Sequence, residues 1–219
     1  MQKINYQKEL DALLERIKNV EKKPSLLLHA CCAPCSSYTI EYLSQFFEIT
    51  IFYYNPNIYP QAEYERRLTE LKNFLPRFEC AFKNNIKLVV EPYVPQEFFD
   101  AIEINLFPEE AKEAEKGERC RKCYKFRLEK SFEYAKENGF DYFCTTLSIS
   151  PFKDSEKINA IGKELSSEET KWLPSDFKKN SGFKRSLELS REYSLYRQDY
   201  CGCIYSMKNS LENKKRIHE

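Results

Sequence analysis

Glycine is scarce in this chain, with five in 219 residues, and none of them falls in a GxGxxG, GxxxxGKS or GxxxxGKT pattern. A dinucleotide site of the usual kind and a P-loop are therefore both excluded. Long apolar runs are missing as well: no stretch reaches the roughly 18 residues a membrane span requires. The N-terminal MQKINYQKELDALLERIKNV is charged and helix-patterned, without the apolar core of a secretory leader, which points to the cytoplasm and to no membrane. Charge of one sign is also lacking. A net charge of +1 gives no global pull toward nucleic acid, so any RNA surface must be a local patch. Internal repeats, low-complexity segments and a domain boundary are absent too.

What the chain does have is cysteine, nine in all. Disulfides are rare in the cytosol, so clustered cysteines there indicate metal or redox chemistry. At 42% hydrophobic and 32% charged, the chain reads as one globular α/β domain over 1–219. Residues 1–22 form an N-terminal helical segment, and 207–219 a basic, frayed tail.

Patterning places strands at Ser25–Ala30, over EITIFYYN (48–55), over KLVVEPYV (87–94), at Asp141–Leu147 and, more weakly, at Lys171–Phe177. Helices are expected over SSYTIEYLSQFF (36–47), from Gln61 to about Cys80, over 95–116 and 118–138, from Asp154 to Leu165, and over RSLELSREYSLY (185–196). Gly139 closes the helix over 118–138. Strands alternating with helices predict a Rossmann-like parallel sheet flanked by helices. Ligands of such sheets sit outside the carboxyl ends of the strands. The loop expected there after the first strand is Cys31-Cys32-Ala33-Pro34-Cys35.

Seven of the nine cysteines cluster, as Cys31, Cys32 and Cys35; Cys120 and Cys123; Cys201 and Cys203. C-x-x-C at a helix start puts two sulfurs one turn apart near free N–H groups, with Arg119, Arg121 and Lys122 adding positive charge. A structural zinc or an iron–sulfur cubane takes up to four cysteines, so seven suggest a cluster plus a second redox or metal element. A structural zinc with spare buried thiols is the alternative. Cys201-Gly-Cys203 could chelate one metal or close into a strained, easily reduced ring. Cys80 and Cys144 have no cysteine neighbours and read as inert core thiols.

Together these stretches resemble the QueH-type epoxyqueuosine reductases. The matching blocks are His29-Ala-Cys31-Cys32-Ala-Pro-Cys35, Tyr54-Asn-Pro56-Asn57-Ile-Tyr-Pro60 with Glu63-Tyr64-Glu-Arg66, and Glu118-Arg-Cys120-Arg-Lys-Cys123-Tyr-Lys-Phe-Arg127-Leu. Thr145-Thr-Leu-Ser-Ile-Ser-Pro151 and Tyr196-Arg-Gln-Asp-Tyr200-Cys-Gly-Cys203 follow. The resemblance implies an adenine-nucleotide hydrolase-like fold without its ATP loop. It also implies the last step of queuosine synthesis: removal of the epoxide oxygen of epoxyqueuosine in tRNA, at the wobble position of G-U-N anticodons. A 4Fe–4S cluster, a terminal C-x-C redox pair, an additional mononuclear iron and an electron donor are implied with it, and cobalamin is not. Carried onto this chain, the cluster falls to Cys31, Cys32, Cys120 and Cys123, and the redox pair to Cys201 and Cys203. Cys35 and Asp199 become candidate ligands for the extra iron.

Other candidates have plainer readings beside the functional one. His29 could pass a proton or orient a ligand, or be a satisfied strand histidine. Asp154, Asp199 and Tyr200 are candidate acids or else caps and surface groups, with Asp199 first because it lies two residues from Cys201. Tyr53, Tyr54 and Tyr59 with Arg66 and Arg67 could stack and bind an extruded anticodon base, or belong to the core. The run from Lys178 to Arg197 could meet tRNA phosphates or be a solvated helix face. Two other function classes compete: a zinc-stabilised RNA-binding module without catalysis, and another iron–sulfur tRNA enzyme such as a thiolase-type sulfur transferase. The ATP-dependent form of the latter would carry an SGGxDS-like loop where this chain has its cysteines.

Overall fold

Leu26, Leu27 and Leu28 are consecutive and have no exposed surface. A strand buried on both faces belongs in the middle of a parallel sheet covered by helices on each side. The computed structural model, which describes residues 4–218 and side chains to residue 215, has that arrangement. Strands β1 (Ser25–His29), β2 (Glu48–Tyr53), β3 (Lys87–Val90), β4 (Tyr142–Thr145) and β5 (Lys171–Trp172) form one sheet in the order β3-β2-β1-β4-β5. Every pairing is parallel, with Leu28 opposite Ile51 on one side and Cys144 on the other. The direction of strand succession reverses between β1 and β4, so the crevice for chemistry lies at their carboxyl ends.

The helices are α1 (Tyr6–Ile17), α2 (Ala33–Leu43), α3 (Gln61–Phe74), α4 (Glu79–Lys83), α5 (Pro95–Ala101), α6 (Glu118–Glu137), α7 (Ser155–Leu165), α8 (Gly182–Glu192) and α9 (Ile204–His218). Helix α2 packs on α8, and α6 on α7. Among the described residues no helix is long and apolar enough to cross a membrane.

Several expected elements are shorter, and prolines account for much of this. The helix from Gln61 ends at Phe74, because Pro76 has no N–H to continue it; the chain restarts as α4. The helix expected over 95–116 ends at Ala101, and a 3₁₀ turn follows at Pro108–Lys112. The fifth strand keeps two residues before Pro174. The final turn expected over 193–196 is open chain, beginning at Ser194 with φ +52°. Conversely, a helix covers 204–218 where a frayed tail was expected. Gly139 does close α6, at φ +67°.

Candidate active site

Strand β1 ends at His29 and the chain turns through Ala30 and Cys31 to Cys32, the extended N-cap of α2. Pro34 occupies the first turn, where its missing N–H leaves nothing unpaired. The Sγ atoms of Cys31, Cys32 and Cys35 all lie within 4.8 Å of one another, with Cys31 and Cys32 3.8 Å apart. The thiols of Cys32 and Cys35 share hydrogen bonds with Cys31, which holds that sulfur well below the ordinary thiol range. The same sharing, reinforced by burial, pushes Cys32 up to about 12 and Cys35 well up. Gln198 Nε2 donates to Cys32 Sγ at 3.2 Å.

Helix α6 presents Cys120 and Cys123 from its first two turns. Burial raises both thiols, Cys123 to about 12. Cys123 and Cys203 belong to one small apolar cluster with Phe98 and Ile102, which brings α5, α6 and the C-G-C segment together. Arg127 follows Cys123 by four residues, on the same helix face. Its Nε donates to the Cys123 carbonyl at 3.3 Å, and its Nη2 is buried without a hydrogen-bond partner. Burial disfavours this guanidinium, but the sulfurs of Cys123, Cys201 and Cys31 outweigh burial and keep it charged.

The C-G-C segment is tied down from several sides. Lys153 Nζ donates to Cys201 Sγ at 2.8 Å, and Arg67 Nη1 to the Cys201 carbonyl at 3.1 Å. Tyr59 N donates to the Gly202 carbonyl at 2.8 Å, while Gly202 N donates to Ser206 Oγ at 3.3 Å. Gly202 has φ +133°, and a Cβ there would come within 3.0 Å of Arg67 Nη1, so glycine is required twice over. Burial opposes the Lys153 ammonium; the sulfurs of Cys201 and Cys31 and the Tyr124 hydroxyl overcome it and raise this lysine above its ordinary range. Among the described residues no carboxylate pairs with Lys153 or Arg127.

The other candidates separate clearly. His29 bonds Thr145 Oγ1 through Nδ1 at 2.8 Å and Tyr54 O through Nε2 at 3.1 Å. A carbonyl can only accept, so the proton sits on Nε2 and both ring nitrogens are spoken for. It is a satisfied strand histidine. Asp154 caps α7, accepting from Glu156 N and Lys157 N. Asp199 sits toward solvent in an ion pair with Lys214, whose hydrogen bond holds its carboxyl below the usual range. The Tyr200 hydroxyl donates to Tyr59 O at 2.7 Å. Tyr53 and Tyr54 are core residues, Tyr54 donating to Glu97 Oε2 at 2.6 Å, whereas Tyr59 is exposed.

The cations expected beside the α6 sulfurs are largely engaged elsewhere. Arg119 donates to the carbonyls of Glu110, Ala111 and Glu113; Arg121 pairs with Glu118, and Lys122 with Glu103 and Glu110. In the basic run, Lys178 pairs with Asp176, and Arg185 with Glu41. Cys144 is buried between Ser175 and Leu173 O, and Cys80 is half-buried on α4. The groups that do face the sulfurs were not read as such: Lys153, Arg127 and Gln198. Arg127 carried a signal in its i+4 spacing from Cys123. Lys153, in the turn after β4, carried none.

A Rossmann-like α/β domain with thiols gathered around shared buried cations at the carboxyl ends of its strands defines a protein of metal–thiolate or thiol redox chemistry. Comparison with known proteins narrows this class. The family model described as epoxyqueuosine reductase QueH matches residues 26–209. The chain belongs to the QueH family of epoxyqueuosine reductases. It is similar to the epoxyqueuosine reductase QueH of Streptococcus pyogenes serotype M1, with 44% identity over 94% of this chain and 80% of the relative. The corresponding protein of Staphylococcus epidermidis is 39% identical over 98% of this chain and 90% of its own length. That of Thermotoga maritima is 30% identical over 88% and 95%.

Proposed function

We propose that this chain reduces epoxyqueuosine in the wobble position of G-U-N tRNA to queuosine, using an iron–sulfur cluster and a Cys201–Cys203 dithiol, in the cytoplasm. The observation that carries this reading is the shared charge environment. Arg127 interacts with Cys31, Cys123 and Cys201 alike, and Lys153 with Cys31 and Cys201, so three separate cysteine segments face one set of cations.

The residues fit the implied group. Soft thiolates are the donors that iron–sulfur clusters take. The buried, carboxylate-free charges of Arg127 and Lys153, with an orphaned Arg127 Nη2, suit a negatively charged thiolate assembly. Cys31, Cys32, Cys120 and Cys123 would hold the cluster. Cys35, whose sulfur lies within 4.8 Å of those of Cys31 and Cys32, is left for an additional iron beside the cluster; Asp199 would have to leave Lys214 to join it. When bound, the cluster supplies one-electron transfer between an external donor and the dithiol.

The chain's own residues account for the rest. Removing the epoxide oxygen as water requires two electrons and two protons and leaves a carbon–carbon double bond. Cys201 and Cys203 as thiols release two electrons and two protons when they close to a disulfide, so the step balances and the external donor reopens the pair. Gly202 permits the small ring. Lys153 holds the Cys201 sulfur in place and relays one of these two protons, giving its own to the departing oxygen and regaining one from Cys201.

The test is anaerobic purification followed by iron, zinc and acid-labile sulfide assays, then incubation with epoxyqueuosine-containing tRNA and dithionite. Brown protein with sulfide, and queuosine among the digested nucleosides, is expected. One zinc per chain, no sulfide and no queuosine would overturn the proposal.

A further inference from the structure

We infer that Tyr59 and Phe152 form a stacking site for the nucleobase that carries the substrate ring, one wall on each side of the C-G-C segment. The inference rests on the reading of the chain as a tRNA epoxide reductase and adds the residues that take hold of the RNA.

Tyr59 is 40% exposed and Phe152 67% exposed. Exposed single aromatics are ordinary, and Phe82 on α4 is 74% exposed with no cysteine segment beside it. Attachment sets the other two apart. Tyr59 is bonded through its backbone N to Gly202 O at 2.8 Å, and its carbonyl accepts the Tyr200 hydroxyl at 2.7 Å. Phe152 precedes Lys153, whose Nζ reaches Cys201 Sγ at 2.8 Å. Tyr59 is therefore fastened to this segment directly, and Phe152 is held beside it through its neighbour Lys153.

Topology places them on opposite sides. Tyr59 lies in the loop after β2 and Phe152 in the loop after β4, and these strands flank β1 on its two edges. Neither loop hangs loosely: Phe152 N donates to Ser150 Oγ at 3.3 Å and Lys153 N to Ser150 O at 3.2 Å. Both Tyr59 bonds are made by its backbone, and among the described residues neither ring packs against another ring.

Proteins that read single-stranded RNA splay a base from its loop and stack it on aromatic side chains, which every base allows through its π faces. A base held here would extend its cyclopentane substituent toward Cys201 and Gly202, the two residues that the two loops hold. Tyr54, by contrast, is buried under Glu97 and could not receive a base.

The test uses the loaded protein, an anticodon stem-loop carrying epoxyqueuosine, and dithionite. Tyr59→Ala and Phe152→Ala should each raise KM roughly tenfold or more and change kcat by no more than about twofold. Tyr59→Phe and Phe152→Tyr should restore most of the loss, and Phe82→Ala should behave as wild type. In parallel, Phe152→Trp supplies an indole whose emission should be quenched by the stem-loop, above the wild-type background from buried Trp172. If wild type turns over while the alanine variants keep its KM and Phe152→Trp is not quenched, the stacking site is overturned and the reductase reading stands. A fall in kcat at unchanged KM would also overturn it, by making the rings structural. If wild type yields no queuosine yet Phe152→Trp is quenched and the alanine variants bind the stem-loop more weakly, the stacking site stands and the reductase reading falls. No turnover and no quenching overturns both.

Discussion

Lys153 Nζ lies 2.8 Å from Cys201 Sγ, although the lysine is only 7% exposed and faces no carboxylate among the described residues. Burial alone would favour a neutral amine. The sulfurs of Cys201 and Cys31 and the Tyr124 hydroxyl outweigh it and keep the ammonium. Lysine and sulfur thus hold each other in a charge-assisted contact at the point where the C-G-C segment meets the loop after β4.

Lys153→Met should therefore slow queuosine formation by about 10²-fold, the usual effect of losing a positioned proton donor. Iron and sulfide content should stay near wild type, and Lys153→Arg should recover part of the rate. Metal and sulfide analysis alongside single-turnover assays decides the matter. Wild-type turnover in Lys153→Met would remove the lysine from the chemistry.

Replacing Cys120 or Cys123 with Ser should bleach the protein and remove its sulfide, because a hard oxygen donor substitutes poorly for thiolate at iron. Cys80→Ser, on α4 and outside the thiol groups, should leave both intact. Visible absorbance and sulfide assays on the three variants distinguish ligands from bystanders. A colourless Cys80→Ser protein would show the ligand set to be wrong.

Cys201→Ser and Cys203→Ser should behave in the opposite way, keeping absorbance and sulfide while losing turnover under strong reductant. The spacing favours a relay: two thiols separated by one glycine can close a small ring, and Gly202, at φ +133°, holds a backbone conformation other residues rarely adopt. Bleaching of both single variants would make the pair ligands instead.

His29 gives a pH prediction. Burial first, then the charge of Arg127, lowers its pKa from 6.5 to about 4. The folded value lies below the unfolded one, so the unfolded chain takes up the proton first. The stabilisation is full above pH 6.5 and is lost as pH falls toward 4, by about 2 kcal/mol at pH 5. His29→Asn is too short to keep both bonds and will be less stable overall, but it carries no titrating ring. Its urea midpoint should fall less between pH 7 and pH 5 than that of wild type. An identical fall in both proteins would mean that His29 does not titrate this way.

The sheet was legible because its cue is local. SLLLH and EITIFY are apolar beyond anything a surface strand allows, and both form where the pattern put them. Element ends were harder: Pro76 and Pro174 act on chain already begun as helix or strand, and the helix from Pro95 stops before Glu103, which takes a positive φ. The cysteine groups were readable from spacing, and the carboxyl-end rule for parallel sheets placed the first of them; for the other two, convergence was only what a shared site would require. Their charge partners were not. Whether Arg119 or Arg127 faces the sulfurs depends on helix rotation and on carbonyls at residues 110–113. Lys153 reaches Cys201 across 48 residues, a separation that no local pattern encodes.

The raised thiols carry a further consequence for how this centre is built. Cys32 and Cys123 both stand near 12, and Cys35 is well up, so at neutral pH they hold protons that metal must displace. Each proton leaving would add to the counter-charge that Cys31 already gives Arg127 and Lys153. Assembly is therefore an acid-releasing exchange that is easier at higher pH. It also tightens the fold, so the metal-free chain should be the first to succumb to urea or protease.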